Sequence, residues 1–279
     1  MNFKFKERYS SYLINNLPSL ISKLANNNLK YKVCVLSSDL IGRSFAVTGA
    51  YEAAGVSAVD WLCKQGTIRK PEDSIFIDIG ANIGTYSLAL APSFKEVLAF
   101  EPHPIVSKVL ELNKEINNFN NIHICKYGLS DMDTETSLYE PMKNAGGSSL
   151  EHRSSGASYT VKVKHASVAI NSLKKGNKIA FIKIDVEGHE LKVMQGLKEV
   201  LLQYKPVVAF EANDLERNES LLEYMQSLGY TKFLALDIRL NSRYPILRLL
   251  LVSIFGAKYE LKPVQHLGDQ KYSLVFSLY

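Results

Sequence analysis

The clearest chemical signal in this 279-residue chain lies between Ile75 and Glu101. Ile75-Phe76-Ile77-Asp78 is a short apolar run ending on an acid, and Asp78-x-Gly80-x-x-x-Gly84 leads from it into a helical stretch through Leu90. Gly80 permits a sharp turn and close approach of backbone to a ligand, Gly84 lets the helix pack closely, and the helix start offers free N–H groups. Seventeen residues past Gly84, the run Val97-Leu98-Ala99-Phe100 ends on Glu101, placed to accept both hydroxyls of a ribose. A dinucleotide site wants Gly-x-Gly-x-x-Gly, which is absent, and a loop led by Asp78 repels phosphate. A ribose joined to a cationic amino-acid portion suits these residues better. S-adenosylmethionine (SAM) has both.

Two further apolar runs end on acids: Ile179 to Asp185 and Val207 to Glu211. A carboxylate closing an apolar strand is costly unless it finds a partner or meets solvent in a cleft. Four such acids, Asp78, Glu101, Asp185 and Glu211, on one sheet edge therefore point to a site. Lys183 lies two residues before Asp185 and shares its face of the strand. Glu187 and Glu190 open a helix, where acids complement the dipole without any chemistry, and His189 reads as a surface residue. Asp185, Glu187 and Glu211 are oxygen ligands of the kind divalent cations take, but they lack a histidine partner, so no metal is expected.

The elements that must position these residues alternate. Apolar runs at 75–78, 97–101, 122–127, 179–185 and 207–211 are separated by helical patterns over about 105–117 and 188–202, the signature of a parallel sheet covered on both faces. Tyr230 to Leu236 and Tyr272 to Leu278 look like further strands. Paired as antiparallel edge strands, they complete a seven-stranded, mostly parallel Rossmann-like α/β sheet with helices on both faces. The SAM-binding domain then spans 71–279, with insertions at about 134–164 and 238–265. Residues 1–70 form a helical and strand extension packed on the core, with strands at 31–36 and 44–48 and a helix from Tyr51 to Gln65. Thr136–Glu140 and Ser158–Lys164 read as two strands flanking a mobile loop.

Composition limits the alternatives. A 46% hydrophobic and 22% charged chain is ordinary for a globular protein, and Cys34, Cys63 and Cys125 show no paired spacing. The formal charge of +5 resides in residues 1–32, and the remainder is neutral, which disfavours nucleic acid as a partner. No run is long enough to span a bilayer and no cleaved secretory signal is visible, so a cytoplasmic protein is expected. Peripheral membrane contact through the basic N-terminus or residues 239–256 stays open, as does an oligomer. Tyr244 to Phe255 is apolar on almost every face and would pack on the domain, cover the substrate mouth or dock a partner.

The chain resembles the FkbM family of SAM-dependent methyltransferases. The likeness covers about residues 45–240. It is carried by Gly49-Ala50-Tyr51-Glu52, Phe76 to Gly84, Phe100-Glu101-Pro102, Gly128-Leu129-Ser130-Asp131, Ile182-Lys183-Ile184-Asp185-Val186-Glu187-Gly188-His189-Glu190, and Pro206 to Glu211. The resemblance implies a class I methyltransferase fold and transfer to a hydroxyl oxygen, with a glycan, glycolipid or other small polyhydroxylated molecule as substrate. By position it implies that Asp78, Gly80, Asn82 and Gly84 bind the methionine portion and Glu101 the ribose, with His103 or Leu129 beside the adenine. Asp185 becomes the base or substrate anchor. Lys183 orients or charge-balances the acids, and Glu187 and Glu211 are further candidates. The alternative is a non-catalytic SAM- or nucleoside-binding module that docks a partner through residues 244–256.

Overall fold

The computed structural model describes residues 31–36, 39, 41–42, 44–45, 51–142, 144–151, 156–239, 258–268 and 270–279. The expected helices before residue 31 and the apolar Tyr244–Phe255 stretch lie outside these. Among the described residues no helix is long and apolar enough to cross a membrane.

Helix α1 (Ala53–Lys64) precedes the alternating core: β1 (Ser74–Ile79), α2 (Thr85–Leu90), β2 (Glu96–Phe100), α3 (Val106–Ile116) and β3 (Ile122–Cys125). After an excursion come α4 (Ala166–Leu173), β7 (Lys178–Ile184), α5 (Glu190–Gly196), α6 (Lys198–Tyr204), β8 (Val207–Ala212) and α7 (Leu215–Ser227). The tail supplies β9 (Lys232–Arg239), β10 (Lys258–Pro263) and β11 (Tyr272–Leu278). The sheet order is β10-β9-β11-β8-β7-β1-β2-β3. β3, β2, β1, β7 and β8 are parallel, while β11 runs antiparallel to both of its neighbours.

Every residue of β1 is buried. Its alternate side chains enter opposite cores, Ile75, Ile77 and Ile79 on one side and Phe76 on the other, where Phe76 stacks on Phe181 at 5.1 Å between centroids. The chain runs outward from β1 through β2 to β3, then returns to build β7 and β8 on the other flank. The crevice between the ends of β1 and β7 is thus the point where strand order reverses, where ligands of open α/β sheets lodge.

The sheet has eight strands, not seven, because β10 pairs antiparallel with β9 from within the tail insertion. A second, three-stranded sheet stands apart: β4 (Gly128–Ser130), β5 (Thr134–Tyr139) and β6 (Ser158–His165), in the order β4-β6-β5. The single helix expected over 188–202 is two. Gly196 sits against Ser130, where a Cβ would lie 2.0 Å from the carbonyl oxygen, and Ser167 donates to the Gly196 carbonyl at 2.7 Å.

The expected strand at 31–36 is extended but joins no sheet. Two asparagines one turn apart, Asn113 on α3 and Asn117 at its C-terminal cap, take the place of a partner strand. Asn117 accepts from the Lys32 N–H and donates to its carbonyl, both at 2.7 Å; Asn113 does the same for Cys34 at 2.6 and 3.0 Å. Ser44 and Phe45, expected in a strand, are helical.

Candidate active site

One cleft opens at the β1/β7 crevice. Gly80, Ala81, Asn82 and Thr85 form its floor, Phe100, Glu101 and Pro102 one side, and Gly128, Leu129 and Leu138 the far wall. Lys183, Asp185, Glu187 and Glu211 line the other end, joined by Tyr51 and Glu52. Ala145, Gly146, Ser148 and Leu150 close it from above.

The floor is built by backbone. The Gly80 and Ala81 N–H groups both donate to the Phe100 carbonyl at 3.0 Å, which ties the loop to the end of β2. Gly80 has φ 79°, and a Cβ there would stand 1.7 Å from the Asp185 carbonyl oxygen, so only glycine lets the ends of β1 and β7 close on each other. Gly84, at φ 97°, caps the start of α2, and a Cβ on it would meet Leu110 at 2.4 Å. It shapes the loop from behind and does not line the cleft.

Asp78 is also behind the floor. Its carboxyl is 1% exposed and accepts from the Ser87 hydroxyl at 2.6 Å through Oδ2, while Oδ1 has no hydrogen-bond partner. It therefore does not reach into the cleft as the loop pattern implies. Burial raises its pKa against the pull of Lys183.

Glu101 is buried, and each of its oxygens accepts one backbone N–H, from Asn82 at 2.9 Å and His103 at 2.8 Å. A carboxylate has about four lone-pair sites, so two remain on a residue that lines the cleft, the number of acceptors that a ribose diol needs. Burial pushes this carboxyl up to about 7 despite the two N–H bonds. Asn82 takes a left-handed φ of 53°. The apolar Phe100, Leu129, Leu138 and Leu150 suit an aromatic base. His103 does not stand among them. It is 1% exposed, and its Nδ1 accepts from Ile105 and Val106 at the start of α3, while Nε2 meets Glu140 at 3.1 Å. Its part is to cap a helix, which removes it from the adenine wall and leaves that place to Leu129.

The opposite end is built by charge. Lys183 is 3% exposed, donates to Asp185 Oδ2 at 2.8 Å and lies 4.6 Å over the Tyr86 ring. Burial alone would lower its pKa, yet Asp185, Glu52 and Asp78 hold it well above the usual lysine value. Glu187, with φ 50°, is pushed up to about 7 by burial and then by Asp185. Glu211 is raised further by burial and by its acidic neighbours, and it accepts from the Asn213 amide. Asp185, Glu187 and Glu211 each present an oxygen within 4.8 Å of the others. That spacing would admit a divalent cation, and nothing else among the described residues points to one. An adjoining polar groove shares Glu187 and Glu211 with the cleft and continues past Asn213, Asp214, Arg217 and Lys271.

His189, expected on the surface, is buried. Its Nδ1 meets Glu151 at 2.8 Å and its Nε2 meets the Ser130 hydroxyl at 2.9 Å. Burial lowers its pKa. Glu190 caps the turn before α5, accepting from Val186 at 3.2 Å and Gly188 at 3.1 Å. The roof comes from the loop expected between the strands at 136–140 and 158–164, and it is fastened at several points. The Gly146 N–H donates to Asp39 at 3.1 Å, the Ser149 hydroxyl to the Glu187 carbonyl at 2.6 Å, and Lys192 to Glu151 at 2.8 Å.

Residues 78–232, more than half of the chain, match the FkbM methyltransferase domain. The chain belongs to the FkbM methyltransferase family. With that membership comes SAM as the cofactor, which the Glu101 acceptors and the apolar wall fit. Within the family's wider circle, the chain is 27% identical over 150 residues to Methyltransferase 1 of Beauveria bassiana, covering 46% of this chain and 60% of that one. It is 33% identical over 132 residues to hexuronic acid methyltransferase AglP of Haloferax volcanii, covering 47% and 52%. The match thus spans little more than half the length of these two curated relatives. The solved METTL16 methyltransferase domain superposes with a TM-score of 0.52 at 14% identity, over 100% of this chain and 83% of that one, a likeness of fold.

Proposed function

We propose that this FkbM-family protein moves the methyl group of SAM to a hydroxyl oxygen of a glycan, glycolipid or other small polyhydroxylated molecule. The observation that carries this reading is the meeting of Asp185, Glu187 and Glu211 within 4.8 Å of one another, in the same cleft as the Gly80–Asn82 floor and Glu101. SAM supplies an electrophilic methyl group. An unactivated alcohol must lose a proton as it attacks, and carboxylates at the site are suited to take it. Glu101 holds the ribose, Gly80 and Asn82 meet the methionine portion, and Leu129 flanks the adenine. Asp78 and Gly84 keep that floor in shape from behind.

Lys183 fixes the Asp185 carboxylate in place, so that Asp185 anchors the acceptor hydroxyl and takes its proton. Glu211 and Glu187, crowded by like charge, are ready to hold the proton afterwards. The polar groove beside them offers carboxylates and amides to further hydroxyls. The likeness to a hexuronic acid methyltransferase supports a sugar-like acceptor.

The test is transfer of label from methyl-radiolabelled SAM to an extract of the source cells, partitioned between water and organic solvent. Label recovered as a methyl ether on a glycan or glycolipid supports the proposal, and organic-phase label identifies a lipid-linked acceptor. Absence of any labelled product would leave a protein that binds SAM without turning it over.

A further inference from the structure

The stretch Gly49-Ala50-Tyr51-Glu52 was singled out by resemblance but given no task, and the structure places its last residue in the cleft. We infer that Glu52 receives the ammonium group of the cofactor's methionine portion. This rests on SAM being the ligand of the cleft.

The acid that the loop pattern offers for this role, Asp78, faces Ser87 behind the floor. Asp185 already accepts from Lys183, and both oxygens of Glu101 accept backbone N–H groups at the ribose side. Glu52 differs from all three. It lines the cleft beside Gly80, Asn82 and Thr85, and no described residue donates a hydrogen bond to its carboxyl.

Its backbone carries the second argument. Glu52 holds a left-handed conformation, φ 51° and ψ 26°, at the position preceding α1, yet its side chain makes no capping hydrogen bond to that helix. Helix caps are Ser, Thr, Asp or Asn in extended backbone, so neither the side chain nor the conformation of Glu52 serves α1 as a cap. Here the chain accepts a strained backbone and the carboxyl turns to the cleft, the pattern of strain kept for function. The cleft also has room for a cation: among the described residues Lys183 is the cation whose charge acts on Glu52, Asp78 and Asp185 together. Of the two cationic groups SAM carries, only the ammonium donates hydrogen bonds, and a carboxylate that no described residue donates to is the place for it.

Calorimetry with two ligands tests the assignment. SAM carries the ammonium, while methylthioadenosine keeps the adenosine and the sulfur but lacks the amino-acid portion. Glu52→Gln should weaken SAM about 10- to 100-fold, the loss of a charged hydrogen bond, and leave methylthioadenosine within twofold. Glu101→Gln should weaken both. If Glu52→Gln binds SAM as the parent does while Glu101→Gln weakens it, the ammonium assignment falls and the cofactor reading stands. If neither substitution matters, the cofactor reading falls too. Equal weakening of both ligands by Glu52→Gln would also overturn the assignment, as damage to the whole cleft. Should Glu52→Gln fail to fold, the parent protein answers with S-adenosylhomocysteine and its desamino analogue. Loss of the amino group should cost at least tenfold in affinity, and equal binding overturns the inference.

Discussion

The two ends of the cleft are made of different materials. At the ribose end, Glu101 is a buried acid with one backbone N–H on each oxygen, and Gly80 and Ala81 are tied to Phe100. At the other end, Asp185, Glu187 and Glu211 share the charge of Lys183 among the described residues. The first end meets its needs with fixed dipoles, so it is preorganised. The second holds more negative charge than its partners balance, so its protonation answers to pH and to what binds. Recognition is assigned to the end held by backbone N–H groups, and proton transfer to the end where carboxylates crowd together.

The hardest blow to the charged end is Lys183→Met. Removing one partner of a buried ion pair leaves uncompensated charge and typically costs about 3–5 kcal/mol. Urea titration should show that loss; an unchanged midpoint would mean the acids carry protons and need no cation. Next is Asp185→Asn, which should lower turnover about 100-fold or more and keep SAM affinity near the parent's by calorimetry. Near-parental turnover would move the base to Glu211, where Glu211→Gln becomes the decisive variant. At the dipole-built end, Glu101→Gln should weaken SAM by about 1.5–3 kcal/mol with the fold intact. Equal SAM affinity would erase the contrast between the two ends.

A change of pH should act on both ends without mutation. Glu101 and Glu187 have folded pKa values of about 7 against an ordinary 4.5. The folded state therefore binds more protons than the unfolded one in that window. The stability this contributes is present below about 4.5 and is lost as pH rises through 7. The ligand-free protein should unfold at lower urea at pH 8 than at pH 5.5, while SAM, a cation, should bind better at pH 8. Parallel movement of stability and affinity with pH would contradict this. The smallest effect is expected at the roof. Glu151 is partly exposed, and such pairs contribute roughly 0–1 kcal/mol, so Glu151→Gln should speed SAM release only a few-fold in stopped-flow measurements.

The parallel core was legible because Ile75–Asp78, Val97–Glu101, Ile179–Asp185 and Val207–Glu211 are buried on both faces and read as unbroken apolar runs. β5 has no such run, since most of its residues are exposed or half-buried, and the second sheet could not be read as a sheet of its own. The segment at 31–36 has strand-like spacing, but its partners are the side chains of Asn113 and Asn117, a contact that no local pattern encodes. The break at Gly196 reflects a meeting with Ser130 from a distant element. In the site, acids at strand ends were visible because the run announces them. Glu52 and His189 were not, since their placement depends on a backbone twist and on Glu151 and Ser130 arriving from the excursion. His103 misled for the opposite reason: it follows Glu101 closely, yet it serves the start of α3.

The excursion that supplies Ala145, Gly146, Ser148 and Leu150 departs from the second sheet, between β5 and β6, whereas the floor belongs to the first. Roof and floor are therefore carried by different sheets. A replacement for the loop between β5 and β6 would keep the end of β7 in place only if it also met the Glu187 carbonyl and the His189 ring. Such a division lets one transfer chemistry be retained while the guest it serves is replaced, and it makes the loop between the two small strands the natural unit for a chimera.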